Sequence, residues 1–197
     1  KQGVAPVMGE DVKPKLGKDG QPIVRRVFRE EPLPPYVPKK QGYTHEETLE
    51  LAEEMLRLSG AVIKHDQADR AFYRPSTDEI HLPPEAAFKE LAGYYATALH
   101  ELGHWTGHPS RLNRDIQTPF GSPAYAKEEL RAEMASTYLS ADLGLPLNSI
   151  SHAAYTQGWL KALKDDKMEF FKAANDAQKI ANYLKGIVKE RLQQLDE

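Results

Sequence analysis

The chain has 197 residues, 28% of them charged and 40% hydrophobic, with no cysteine and a formal net charge of −3. These values exclude a disulfide-stapled scaffold and a thiolate zinc site, and they fit one sizeable globular domain with room for an appendage. No apolar run approaches the ~18–20 residues that cross a bilayer, so no membrane contact is expected, and the lack of cysteine suits a reducing cytoplasm.

Residues 1–42 differ from the rest of the chain. Residues 1–40 hold nine Lys/Arg against five Asp/Glu, a balance of +4 that leaves −7 to the remainder. Such a cationic end reads first as a solvated tail and second as a nucleic-acid contact. "KLGKDGQPIVRRVFRE" has the look of a hairpin, with Asp19-Gly20 as turn and Ile23 to Phe28 as β-rich sequence. Pro32, Pro34, Pro35 and Pro38 then make an extended linker. The chain begins at Lys rather than Met, and residues 1–42 are expected to be the tail of a preceding domain plus a Pro-rich linker.

A second domain is expected over residues 43–197. Thr44 with Glu47 three residues later forms a capping box, and Leu49, Ala52, Met55, Leu56 and Leu58 follow at helical spacing until Gly60. Short strands are expected at Ala61–His65, Ala71–Tyr73 and Glu79–Leu82, with "RPSTDE" as a hairpin connection. Pro83-Pro84 halts the sheet. A helix is predicted from Leu91 to about Thr106, with Tyr95, Ala98, Leu99 and Leu102 on its apolar face. After a long loop, Ser122-Pro123 caps another helix running to about Leu143 and ending at Gly144. Two further helical stretches are predicted, the last from about Lys167 to Leu195 with a buried stripe of Phe171, Ala174, Ile180, Ala181, Leu184 and Val188. Early strands followed by helices read as α+β.

The chemistry concentrates in "YYATALHELGHWTGHPSRLNRD", residues 94–115. His100 and His104 lie one helical turn apart, so their imidazoles share a face and reach one cation. Glu101 points one residue's rotation away, placed to act on water as a general base rather than to bind the metal; this is the H-E-x-x-H arrangement. Gly103 inside the helix costs about 1 kcal/mol relative to Ala, which points to the close approach of another backbone or of a substrate. With no cysteine, the metal ligands must come from His, Asp or Glu, and a catalytic zinc site needs a third one. His108 follows Gly107, where the helix ends, and is out of register with the extended motif, which requires a histidine where Ser110 stands. The next helix offers Glu128, Glu129 and Glu133, the last two sharing a face. Glu133, within the small apolar run "AEMAS", is the favoured third ligand, with Glu129 orienting a ligand imidazole; the reverse assignment is the main rival.

Four segments in order, "RAFYRPSTDEIHLPP", the HELGH segment, "YAKEELRAEMAS" and "FFKAANDAQKIANYL", resemble the metallopeptidase domain of plasmid-borne ArdC-type antirestriction proteins. The resemblance implies a zincin fold: a small sheet containing antiparallel strands on an active-site helix, and a helical C-terminal part. It also implies Zn2+ held by His100, His104 and a glutamate of the following helix, with Glu101 catalytic. In that family an upstream domain binds single-stranded DNA, and residues 20–31 are similar only to its tail end. The functional expectation is a zinc metallopeptidase acting on a protein or peptide substrate. An extended substrate would pair with the strand near Glu79–Leu82, and His108 and Tyr125 are candidates for oxyanion contact, with Trp105 as packing. The alternative is a single-stranded DNA-binding antirestriction protein whose zincin site is structural or a non-hydrolytic protein-binding decoy.

Overall fold

In a computed structural model of the chain, residues 2–6, 18, 24–28, 44–146, 159, 163–164 and 166–195 are described. The chain divides into two units, Lys1–Lys40 and Gln41–Glu197. In the first, β1 (Gln2–Pro6) pairs antiparallel with β2 (Val24–Phe28), Gln2 opposite Phe28. Strand β2 occupies the expected β-rich run. The expected turn at Asp19-Gly20 and the proline linker lie outside the described residues.

In the second unit Thr44 opens α1 (His45–Ser59) with a complete capping box. The Glu47 amide donates to Thr44 Oγ1 at 3.2 Å, and the Thr44 amide donates to Glu47 Oε2 at 2.6 Å. Gly60 ends the helix in the left-handed region, at φ 81°, which a glycine adopts without strain. Three short strands follow, β3 (Val62–Lys64), β4 (Phe72–Arg74) and β5 (Glu79–His81). Their order is β3-β5-β4: β5 lies in the centre, parallel to β3 and antiparallel to β4. Arg74 sits opposite Glu79 across the hairpin, and Asp78 at its tip takes a positive φ of 55°. This order corrects one expectation. Both edges of β5 are already hydrogen-bonded, so the Glu79–Leu82 segment cannot receive an added strand; β4 has an edge unpaired among the described residues.

A 3-10 turn (Glu85–Ala87) leads into α2 (Leu91–Trp105), the central helix. Its expected apolar face is buried: Tyr95, Ala98, Leu99 and Leu102 all lie in the core with Ile80 and Leu82 of the sheet segment. Helix α3 (Pro123–Leu143) begins as predicted, with Ser122 Oγ accepting from the Tyr125 amide at 3.1 Å, and ends at Gly144. Helix α3 packs on α2 through small residues. A Cβ added at Gly103 would stand 3.4 Å from Ala132 Cα, and Ser136 Oγ donates to the Ala96 carbonyl at 2.9 Å. The neighbour the glycine implied is therefore the α3 backbone, at a distance that would still admit an alanine methyl.

The last helix, α4 (Glu169–Leu195), covers α1 and α3. Its buried stripe is Ala173, Ala177, Ile180, Ala181 and Leu184. Phe171, expected in that stripe, is 63% exposed, because residues two apart on a helix face in nearly opposite directions and the stripe is phased on Ala173. Arg131 of α3 ties the two helices by bonding Glu169 at 2.8 Å and Asp176 at 2.9 Å. Of the other predicted helical stretch, before α4, only Trp159, Leu163 and Lys164 are described, all helical; the rest lies outside the described residues. No helix among the described residues is long and apolar enough to cross a membrane.

Candidate metal centre

The four-residue step on α2 sets His100 and His104 side by side, ring centroids 4.8 Å apart and planes at 80°. Their Nε2 atoms face each other at 3.2 Å. From α3 the Glu129 carboxylate spans both, Oε2 at 3.4 Å from His100 Nε2 and Oε1 at 3.5 Å from His104 Nε2. The remaining nitrogens point at other carboxylates: His100 Nδ1 lies 3.3 Å from Glu133 Oε2, and His104 Nδ1 lies 3.2 Å from Glu128 Oε1.

The fit to a cation follows from hydrogen positions. A carboxylate facing Nδ1 makes that nitrogen the donor, which leaves a lone pair on each Nε2. Two lone pairs and the Glu129 carboxylate then meet with only acceptors between them. Glu129 Oε2 is buried and receives no hydrogen bond among the described residues. His100, His104 and Glu129 supply ligand atoms within 4.8 Å of one another, a His2Glu set that suits Zn2+ and leaves a position for water. In the protein without metal, protons fill that role. Burial works against a charge on His100, but Glu129 and Glu133 outweigh it and raise its pKa to about 9. Burial likewise opposes charge on His104, where Glu128 and Glu129 raise the value to about 10. Burial alone would raise the Glu129 carboxyl; the two imidazoles instead hold it far below the usual carboxylate range.

The structure puts these two glutamates in the positions of the rival assignment. Glu129, not Glu133, stands at the Nε2 vertex, and Glu133 faces the outer nitrogen of His100. Both lie on one face of α3, and the difference is one helical turn. Glu101 is buried beside the imidazoles and lines the cavity in front of them. His108 is not brought to this cavity; its Nδ1 is engaged by Ser110, at 2.8 Å from Oγ and 3.2 Å from the amide. Tyr125 does line the cavity, with Phe120 against its ring at 5.0 Å. Trp105 is buried packing, as expected, with the Arg111 guanidinium 3.8 Å from its ring centroid.

The cavity has a volume of about 150 Å³. One wall is the β4 edge with its flanks, Ala71, Phe72, Tyr73 and Pro75; the other is the loop after α2, through Ile116 and Thr118. Two arginines of that loop had no role in the sequence reading. Arg111 donates to the Trp105 carbonyl at 2.7 Å, pairs with Asp78 at the β4–β5 tip and reaches Tyr73 Oη at 3.3 Å. Arg114 bonds Glu128 and the end of α2. A cation a few residues past a metal-binding helix follows no spacing rule. The only signal was the pair of arginines in "PSRLNRD".

Residues 50–176 match the family model described as zincin-like metallopeptidase. The chain is 48% identical to DNA primase TraC of Escherichia coli, across 92% of this chain and 18% of that protein, so it spans under a fifth of that relative's length. It resembles the crystal structure of the antirestriction protein ArdC from plasmid R388 in its Mn(II)-bound form, at 37% identity and a TM-score of 0.65, over 95% of this chain and 69% of that one. The metal-free ArdC structure is similar at 35% identity and a TM-score of 0.64, over 96% and 70%.

Proposed function

The chain belongs to the zincin-like metallopeptidase family, and from that premise we propose that it is a zinc-dependent hydrolase of peptide bonds. The observation that carries the reading is the convergence of His100 Nε2, His104 Nε2 and Glu129 on one point, with Glu101 on the wall of the adjoining cavity. His100, His104 and Glu129 would hold the cation, and Glu133 and Glu128 would hold the imidazoles in the tautomer that binding needs. A divalent cation held there would supply Lewis acidity toward a carbonyl oxygen and a water. Glu101 takes a proton from the attacking water as the water oxygen bonds to the scissile carbonyl carbon, and returns that proton to the amide nitrogen as the C–N bond breaks. The β4 edge, whose Phe72 and Tyr73 line the cavity, receives an extended substrate backbone by strand addition. Tyr125, which lines the cavity, contacts the developing oxyanion.

The test is digestion of a proteome-derived peptide library by the zinc-loaded chain, read by mass spectrometry. Wild type is expected to cleave and Glu101→Gln to bind zinc equally well without cleaving. Equal rates for the two would remove Glu101 from the mechanism. No cleavage by wild type would favour a second reading, supported by the similarity to ArdC: an antirestriction protein that captures a protein or, together with an upstream domain, single-stranded DNA, without hydrolysis. Under that reading Glu101→Gln protein inhibits a restriction endonuclease stoichiometrically.

A further inference from the structure

We infer that Arg114 is a positioning residue for the metal centre, acting through Glu128 to fix which nitrogen of His104 carries the hydrogen. The inference rests on the reading of His100, His104 and Glu129 as metal ligands.

Arg114 lies in the loop after α2, yet its side chain is only 11% exposed. Its guanidinium makes four hydrogen bonds in two directions. Toward α2, Nη2 donates to the Gly103 carbonyl at 2.8 Å and Nη1 donates to Thr106 Oγ1 at 2.8 Å. The Thr106 hydroxyl in turn donates to the Gly103 carbonyl at 2.7 Å. These are acceptors at the end of the metal-binding helix, where backbone carbonyls lack partners within the helix. Toward α3, Nη2 donates to Glu128 Oε1 at 2.7 Å and Nε donates to Oε2 at 3.1 Å. The planar fork therefore sets the plane of the Glu128 carboxylate relative to the last turn of α2.

That plane matters because Glu128 Oε1 is the atom that faces His104 Nδ1 at 3.2 Å. A carboxylate that already receives both arms of a guanidinium offers His104 an acceptor only. His104 Nδ1 must then donate, and its Nε2 lone pair is left aimed at His100 Nε2 and Glu129. Among the described residues only Arg114 and His104 bond the Glu128 carboxylate, so without the fork the carboxylate is not held to the ring edge, and the imidazole can turn or carry its hydrogen on Nε2. Lysine is no substitute: it carries the charge but not the fork. Gly107 makes room for this arrangement, since a Cβ there would stand 3.1 Å from Arg114 Nη2 and 2.4 Å from Ile116 Cγ2.

The experiment uses the full chain and measures zinc affinity by competition with a chromophoric chelator, and the visible absorption of the Co(II)-loaded protein. Arg114→Met is expected to weaken zinc binding by about 10- to 100-fold and to alter the cobalt spectrum. Arg114→Lys is expected not to rescue. Glu128→Gln should match Arg114→Met, and the double variant should be no weaker than Glu128→Gln alone. A folded Arg114→Met or Arg114→Lys protein with wild-type affinity and spectrum would overturn the inference, as would losses that add in the double variant. Should Arg114→Met fail to fold, Glu128→Gln, nearly equal in size, serves in its place: wild-type affinity in that variant overturns the inference. Failure of wild type itself to bind zinc or cobalt would instead remove the metal-centre reading.

Discussion

Two glycines flank His104, and the structure predicts opposite outcomes for filling them. A Cβ at Gly107 would lie 2.4 Å from Ile116 Cγ2 and 3.0 Å from the His104 carbonyl. Carbon atoms pack best at about 3.5–4.0 Å, so the Ile116 side chain must rotate away, the 114–118 loop must move by more than an ångström, or the helix end must open. Overpacking of this kind costs about 1–3 kcal/mol. For a domain of this size that lowers Tm by roughly 2–12 °C. The displaced groups are Ile116 of the cavity wall and Arg114, so zinc affinity falls along with stability. At Gly103 the nearest atom to an added Cβ is Ala132 Cα at 3.4 Å, an ordinary contact, and the helix gains up to about 1 kcal/mol from the replacement of glycine. Gly103→Ala is therefore expected to keep its Tm within a few degrees and to bind zinc normally. Thermal unfolding with and without zinc, followed by circular dichroism, measures both. A Gly107→Ala protein with unchanged Tm and unchanged zinc affinity would refute the packing account of this loop.

Other predictions follow from the charges. His100 and His104 have folded-state pKa values of about 9 and 10, above the ordinary 6.5, so in the metal-free protein their ion pairs stabilise fully below about pH 6.5 and that contribution is lost as pH rises through 9 to 10. Metal-free Tm should fall between pH 7 and 10, and zinc should remove most of that fall. Zinc must also displace those protons, so its affinity should rise with pH from 7 to 9, with up to about two protons released per ion in calorimetry across buffers. An affinity independent of pH would contradict the raised values. Glu129→Ala should abolish tight zinc binding, whereas Glu133→Ala should weaken it by about 10- to 100-fold; the opposite ranking would restore Glu133 as ligand.

Helix limits were legible because single residues set them: the Thr44/Glu47 box, Gly60, Ser122-Pro123 and Gly144 each stop or start a helix through local hydrogen bonds or left-handed backbone. The His100–His104 pair was legible for the same reason, since the α-helical step alone makes them neighbours. The choice between Glu129 and Glu133 was not, because it depends on how far α3 slides along α2. That distance is set by tertiary contacts, Ala132 on Gly103 and Ser136 on Ala96. The central place of Glu79–His81 was not legible for a similar reason: three short β segments have the same alternation whether that strand is central or at an edge. Arg111, Arg114 and Asp78 were silent because a charged residue in a loop has no pattern until its partners are placed.

The position of the ion itself tests the account most directly. Crystals of the zinc-loaded chain, measured on both sides of the zinc absorption edge, should give one anomalous peak bonded to His100 Nε2, His104 Nε2 and Glu129, with Glu133 turned to His100 Nδ1. A peak bonded to Glu133 or His108 in place of Glu129, or no peak near α2, would contradict it.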